Sequence, residues 1–487
     1  MKTRRQFVRQ LAVGGAALSL WDVARAAGTP PHPVDALLPG FGPLTPEEKI
    51  RRITALTEAA RAHPSGIFVC MPKVTATGLR PVELTDFDGM DRFSENFGLR
   101  FKSLTDFFNN ENSITTSGSH LAAQAVRFTA SGDPAALVAA RRAYASLRRV
   151  YGFGVADGRP GFMGKPYHFE YSSHTTGDQY LHMLWGLWTF YPLATVAEQA
   201  EIREMVRACA DHFIAEDYSV HFRDGRGWNM RLDPSDYNAI MAALQAAAFR
   251  FTGDRRYRTA CEFVMQTGKW RTRRRLDLTI ERVRAGKWQP APWDRLVGET
   301  RRPDEFVQWE DIQHCQFTAI SAVILHESVP DLFTADDLAQ TVGLWWQDYT
   351  VGFDRAVWGY LYWFLVSSRD RSWRRCPITP RVPREQWIGG HPMLSYASEW
   401  IYGDCLARFL WTAMIVARHC PAHRDEAATF AGETLRRLEP RHLLWISDPD
   451  GHQVPPELRY FTEFLSSEVP ENLIATYWEG RRQRLWT

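Results

Sequence analysis

What most constrains this chain is a repeated alternation between two kinds of helix. A nearly all-apolar helical stretch is followed, across a short turn, by an amphipathic one. The expected pairs are Ser113 to Ala130 with Asp133 to Val150, Thr176 to Tyr191 with Thr195 to Glu216, Asp233 to Thr252 with Asp254 to Thr267, Trp309 to Glu327 with Thr334 to Asp348, and Tyr396 to His419 with His423 to Leu438. In Thr195 to Glu216, Ile202, Met205, Val206, Cys209 and Phe213 share one face against Glu201, Arg203, Glu204, Arg207 and Asp211. In Thr176 to Tyr191, Leu181, Leu184, Trp185 and Trp188 make one apolar stripe and Tyr180, Met183, Leu187 and Phe190 a second. A helix apolar all round is buried on every side. No such pair can bury its apolar face alone, so neighbours must stack. Buried helices then form an inner ring and amphipathic ones an outer ring, an all-α fold.

A sixth pair is needed to close the ring. Thr45, Pro46 and Glu48 open a helix running to about Ala62, with Thr as cap and Pro at its first position. Its partner is either a segment near Trp358 to Val366 or the stretch from Pro455; the sequence leaves both open. Between this helix and Asn110 no helical period is sustained, and short strands are expected around Gly66 to Val69. Inner-to-outer connections are tight, whereas the outer-to-inner ones (Tyr151 to Thr175, Asp217 to Leu232, Gly268 to Gln308, Thr350 to Ser395) are long. Long loops in compact domains are usually functional. They gather at the N-termini of the inner helices, which is where an active site is expected.

The turns Ser131-Gly132-Asp133 and Thr252-Gly253-Asp254, and the stretch Thr176 to Leu181, are similar to those of (α/α)6-toroid glycoside hydrolases and polysaccharide lyases, nearest to unsaturated glucuronyl hydrolases. The resemblance covers about Asn112 to Leu438. It implies an (α/α)6 toroid whose general acid/base is an Asp opening an inner helix, the place Asp178 occupies. Glycosyl transfer to water needs a proton donor and a second group that activates water or attacks. Glu310 and Asp311 are the candidates for that second carboxylate, and they point about 100° apart on a helix. His174 is a proton-transfer candidate. Capping is the plain alternative for Asp178, since Thr176 and Gln179 have capping-box spacing.

Candidate substrate contacts are Tyr167 and His168 in the second loop, Arg226 and Trp228 in the third, Trp309 and His314 at the fourth inner helix, and His391 and Trp400 at the fifth. Guanidinium groups suit carboxylates and indole faces suit sugar rings, which points to a uronic acid. Nineteen Trp and sixteen Tyr fit such a site, though they also fill cores. Asp233 reads as a cap, with Pro234 at the first helical position, and Asp236 is kept in reserve as a candidate. The amides of Asn109, Asn110 and Asn112 suit hydroxyl recognition or capping. The basic stretch Lys269 to Lys287 is broken by Asp277 and Glu281 and reads as a solvated helix face.

The function expected is therefore a glycoside hydrolase acting on uronic-acid-containing oligo- or polysaccharide. Two rivals stay open. A polysaccharide lyase would use Tyr167, His168, Tyr171, His174 and Arg226 in β-elimination, and a sugar-binding protein would do no chemistry. A net charge of +2 argues against nucleic acid as partner. Common cofactor and hydrolase fingerprints are missing, and no metal ligand set or cofactor is expected. The seven cysteines have no framework spacing; those in helices read as buried free thiols.

Thr3-Arg4-Arg5-Gln6-Phe7-Val8-Arg9, the apolar run Leu11 to Trp21 and Ala24-Arg25-Ala26 resemble a twin-arginine export signal. The run is too short to span a bilayer. The organisation expected is a signal over 1–26, a leader, helix and irregular segment over 27–110, and a catalytic toroid over 111–487. A soluble mature protein, periplasmic or secreted and without a stable membrane anchor, is expected.

Overall fold

The computed structural model describes residues 33–61, 63–87, 103–221, 227–233, 235–287, 302–308, 311–351, 353–354, 359–360, 364–375, 402–444 and 464–486. Its main helices are α1 (Pro46–Ala60), α2 (Ser113–Ser131), α3 (Pro134–Ala156), α4 (Gly177–Phe190), α5 (Val196–Ala215), α6 (Asp236–Thr252) and α7 (Arg255–Met265), followed by α8 (Arg275–Arg284), α9 (Asp311–Ser328), α10 (Ala335–Tyr349), α11 (Tyr402–His419), α12 (Arg424–Arg437) and α13 (Val469–Arg482). Six of them close a ring by neighbour contacts: α2 on α4, α4 on α6, α6 on α9, α9 on α11, α11 on α13, and α13 back on α2. The amphipathic helices α1, α3, α5, α7, α10 and α12 pack outside this ring. The fold is the expected (α/α)6 toroid.

The sixth pair joins distant parts of the chain. The outer α1 lies against the inner α13, which settles the alternative that the sequence left open. Arg61, at the end of α1, is fully buried and forks onto Glu471 of α13, with Nε to Oε1 at 3.0 Å and Nη2 to Oε2 at 3.1 Å. Its remaining donors reach the carbonyls of Val69, Cys70, Ser466 and Ser467. A buried charge pair holds only when its hydrogen bonds are filled, and here they are.

Helix α4 is the core element the pattern implied. Tyr180, Leu181, Met183, Leu184, Leu187 and Phe190 are all fully buried, each contributing about 1.5–3 kcal/mol by burial of a large apolar side chain. It packs on α2 with glycine against glycine. A Cβ at Gly186 would lie 2.6 Å from the Gly118 carbonyl oxygen, and one at Gly118 would lie 2.1 Å from that of His182. The two backbones therefore approach where no side chain fits.

Several local expectations are corrected. The region 66–69 forms no strand; the hairpin comes later, pairing Lys73–Thr75 with Gly78–Arg80, where Thr75 Oγ1 closes the turn onto the Gly78 carbonyl at 2.8 Å. Helix α6 starts at Asp236, not Asp233. Asp233 accepts from Ser235 N at 2.7 Å and Ser235 Oγ at 2.6 Å, which ties it outside the helix. Helix α3 runs to Ala156 rather than Val150. The long connection after α7 carries α8 and the strand Glu305–Gln308, which pairs with Phe364–Ser367 from the connection after α10, and that strand pairs with Trp373–Arg375, in one antiparallel sheet. Leu276, Ile280, Phe306 and Val366 form a small core beneath it. Cys70, Cys209, Cys261, Cys315 and Cys420 are buried free thiols.

Candidate active site

Asp178 stands in the first turn of α4, and His182 lies one turn further on the same face. The close approach of α2 sets Ser119 Oγ 2.9 Å from His182 Nδ1. From the other side, Glu468, the residue before α13, brings Oε2 to 3.5 Å from His182 Nε2. Arg408 of α11 donates through Nη2 to Glu468 Oε1 at 2.7 Å. Phe317 of α9 sets its ring 5.8 Å from that of His182 and 5.6 Å from the Arg408 guanidinium carbon. Five inner helices thus converge on one polar centre.

The loop before α4 adds a second group of side chains. Lys165 Nζ binds Glu111 Oε1, and Tyr167 donates its hydroxyl to Glu111 Oε2 at 2.5 Å. The same hydroxyl is 3.1 Å from His174 Nδ1. Gln179 links the two groups, donating to Asp178 Oδ2 at 3.1 Å and lying 3.5 Å from Asn112 Oδ1. This overturns the expected capping box: Thr176 makes no side-chain cap and Gln179 turns inward instead.

Charge divides the carboxylates. Burial pushes the Asp178 carboxyl up, but Lys165 above all, with Arg408 also acting on it, more than offsets this, so it lies below the usual carboxylate value. Glu111 goes the other way: burial raises it, Lys165 and Tyr167 offset this only in part, and Asp178 raises it further. Burial also raises Glu468, against the pull of Arg408, and the charges of Asp178 and Glu471 add to the rise. Burial and Arg408 hold His182 down at about 3, so it is neutral near pH 7. Asp178 keeps partial exposure, while Glu111 and Glu468 are buried.

An aromatic wall stands beside this centre. Trp228, on the strand Gly227–Asn229, meets Tyr237 of α6 edge-on, with centroids 4.0 Å apart. A Cβ at Gly177 would lie 2.7 Å from Tyr237, so glycine lets the start of α4 reach that wall.

Of the residues singled out in the sequence, Asp178, Tyr167 and His174 are brought together, and Trp228 flanks the start of α4. His168 is not drawn in. It is exposed on the loop, in a left-handed conformation (φ 54°), with its backbone N–H on Asp106 Oδ1 at 2.5 Å. Asp236 is buried against Arg275 Nη1 at 2.5 Å, so one arginine of the basic stretch turns inward from the expected solvated face. Arg226, Trp309, Glu310, His391 and Trp400 lie outside the described residues, as do residues 1–26. Asp311 and His314 fall in the first turn of α9, and their side chains are likewise outside the description.

Sequence reasoning missed Glu111 as a carboxylate, Lys165, His182, Arg408 and Glu468. Only His182 carried a signal, four residues past Asp178. Among the described residues no group of three or more His, Cys, Asp or Glu is arranged to hold a metal ion, and no helix is long and apolar enough to cross a membrane.

No model of a known protein family matches this chain, and neither does any curated protein. Among solved structures, the chain is similar to a D-mannose isomerase at 11% identity and a TM-score of 0.46, over 91% of this chain and 97% of the other. It is also similar to an unsaturated glucuronyl hydrolase specific for heparin at 9% identity and a TM-score of 0.47, over 90% of this chain and 98% of that one.

Proposed function

We propose that this chain is a carbohydrate-processing enzyme, a glycoside hydrolase acting on uronic-acid-containing oligo- or polysaccharide by general acid/base catalysis. The observation that carries this reading is the split among carboxyl groups at the ring centre: Asp178 is held ionised and partly exposed, while Glu111 beside it is pushed toward the protonated form. Paired titratable groups driven apart in this way mark acid and base. Asp178 takes a proton from water as the water attacks the anomeric carbon. Glu111 gives its proton to the leaving oxygen and regains one from solvent relayed by the Tyr167 hydroxyl, which His174 borders, while the partly exposed Asp178 returns its proton to solvent. Glu468 fits the acid role less well, being only 1% exposed and bound to Arg408. The uronate preference rests on the sequence of the third loop, where Arg226 precedes Trp228 by two positions. The twin-arginine-like start extends the proposal to action outside the cytoplasm.

A second reading has its own observation. Tyr167 and His174 are hydrogen-bonded at 3.1 Å with nearly parallel rings, a pair suited to removing the proton beside a carboxylate in β-elimination. One experiment separates the readings. Residues 27–487 are incubated with saturated and 4,5-unsaturated uronic-acid oligosaccharides while reducing ends and ultraviolet absorbance are followed. Hydrolysis gives new reducing ends without rising absorbance, and Asp178→Asn lowers the rate by about 10²–10⁴-fold, the usual worth of a general acid or base. Absorbance rising on intact polymer makes the enzyme a lyase. Saturable binding without turnover, unchanged in Asp178→Asn, leaves a sugar-binding protein.

A further inference from the structure

The toroid has a second concavity at its other end. Trp185, three residues past His182, packs its ring on Trp411 of α11 with centroids 5.0 Å apart and 37° between planes. This pair helps wall a cavity of about 340 Å³ between the C-terminal halves of α2, α4, α9, α11 and α13. That volume is at the lower end of the ~300–1,000 Å³ range of small-molecule pockets. Trp185, Trp188, Trp411, Ile324 and Met414 give it an apolar lining, and charged groups line it from the ends of α9, α11 and α13.

Two groups in this lining are left for a ligand. The indole N–H of Trp411 is buried and has no hydrogen-bond partner among the described residues. An unpaired buried donor costs about 1–3 kcal/mol, so an acceptor brought into the cavity is favoured. Arg418 is exposed and makes no ion pair among the described residues. The acids beside it are already engaged. Glu479 takes both bonds of an Arg482 fork at 2.7 and 2.6 Å, and Glu327 accepts the Trp188 N–H at 2.8 Å. Trp411 and Arg418 are two turns apart on α11, roughly 10 Å along its axis.

We propose that this cavity binds a small aryl carboxylate that carries an oxygen acceptor at its far end. The ring lies among the tryptophans, the carboxylate meets Arg418, and the far oxygen accepts from Trp411. This site adjoins the polar centre only through Trp185, whose ring meets His182 edge-on at 6.1 Å, and does not rest on the reaction proposed there.

Calorimetric titration with three probes tests each element: 4-methoxycinnamate, its methyl ester, and cinnamate without the methoxy oxygen. The methoxy acid is expected to bind one per chain with Kd below about 1 mM. The ester should bind about 10-fold more weakly and cinnamate several-fold more weakly. Arg418→Gln, an exposed change, should erase the acid-over-ester preference while leaving ester binding as it was. Ile324→Trp should fill the cavity and abolish all three, and Asp178→Asn should change none of them. The proposal is overturned if no probe binds at about 10 mM, if the preference survives Arg418→Gln, or if Asp178→Asn removes binding. Should Ile324→Trp not fold, the Arg418 comparison decides alone.

Discussion

Arg61 and Arg408 are both buried guanidinium groups that meet glutamates three positions apart at the start of α13, yet their surroundings differ in kind. Around Arg61 every nitrogen has a partner and Glu471 is gripped through both oxygens. Burial raises the Glu471 carboxyl, but Arg61 and His120 outweigh it and hold it below its usual value. At the other centre Arg408 donates to Glu468 Oε1, while Glu468 Oε2, His182 Nε2 and Gln179 Oε1 have no hydrogen-bond partner among the described residues. There the carboxyl is raised rather than lowered. A closed network fixes chain against chain. An open one, set beside the partly exposed Asp178, keeps polar capacity for something that arrives from outside.

The strongest way to break this contrast is Arg61→Ala. Removing one partner of a filled buried pair should cost about 3–5 kcal/mol, read as a lowered urea midpoint with α1 released from α13. A change under about 1 kcal/mol would deny the network its structural role. Next comes Glu111→Gln, expected to lower kcat by about 10²-fold with a smaller fall in the urea midpoint than Arg61→Ala, since the amide oxygen still accepts from a neighbouring donor. A variant that unfolds while its surviving fraction keeps full activity would make Glu111 a staple instead.

Acid sensitivity is the third and smaller effect. An unfolded histidine titrates near 6.5, whereas folded His182 is held at about 3. Between those values the unfolded chain binds the extra proton, so stability is intact above about 6.5 and falls as pH drops toward 3. His182→Gln should flatten the slope of unfolding free energy against pH by up to about 1.4 kcal/mol per unit; equal slopes in both proteins would contradict the buried neutral imidazole. The smallest effect belongs to His168→Ala. Out on its exposed loop, it should shift stability by no more than about 0.5 kcal/mol and leave kcat unchanged, and a large loss of rate would move His168 into the working centre.

How much of this was legible in the chain follows from the range of the interactions. Helix pairing was, because an all-apolar stripe beside an amphipathic one is written within twenty or so neighbouring residues, as in Thr176 to Tyr191 and Thr195 to Glu216. The closing pair was left with two partners because α1 and α13 meet only in space. Asp178 could be singled out by its place at an inner helix start. Its charged neighbours could not, since Lys165, Arg408 and Glu468 come from three separate segments and no local spacing links them. The same limit applies to Gly118 and Gly186, whose meeting fixes His182 yet leaves no periodic trace. Thr176 and Gln179 matched a capping pattern, but the Asp178 carboxylate and Asn112 offered Gln179 better hydrogen bonds.

The Arg61 closure also has a meaning in time. Arg61 and Glu471 are separated by 410 positions, and at the ~5–20 residues per second of protein synthesis this is roughly 20–80 s between the making of one and of the other. For that interval the arginine that will become one of the most deeply buried cations of the molecule lacks its Glu471 carboxylate, and α1 lacks the inner helix α13 that it packs on. Ring neighbours α2, α4 and α6 can pack in order behind the ribosome, but the polar centre lacks Glu468 until the same late segment arrives. The late arrival of α13 thus locks the ring and completes the polar centre in one event, so a nascent chain exposes no finished centre before its architecture is sealed.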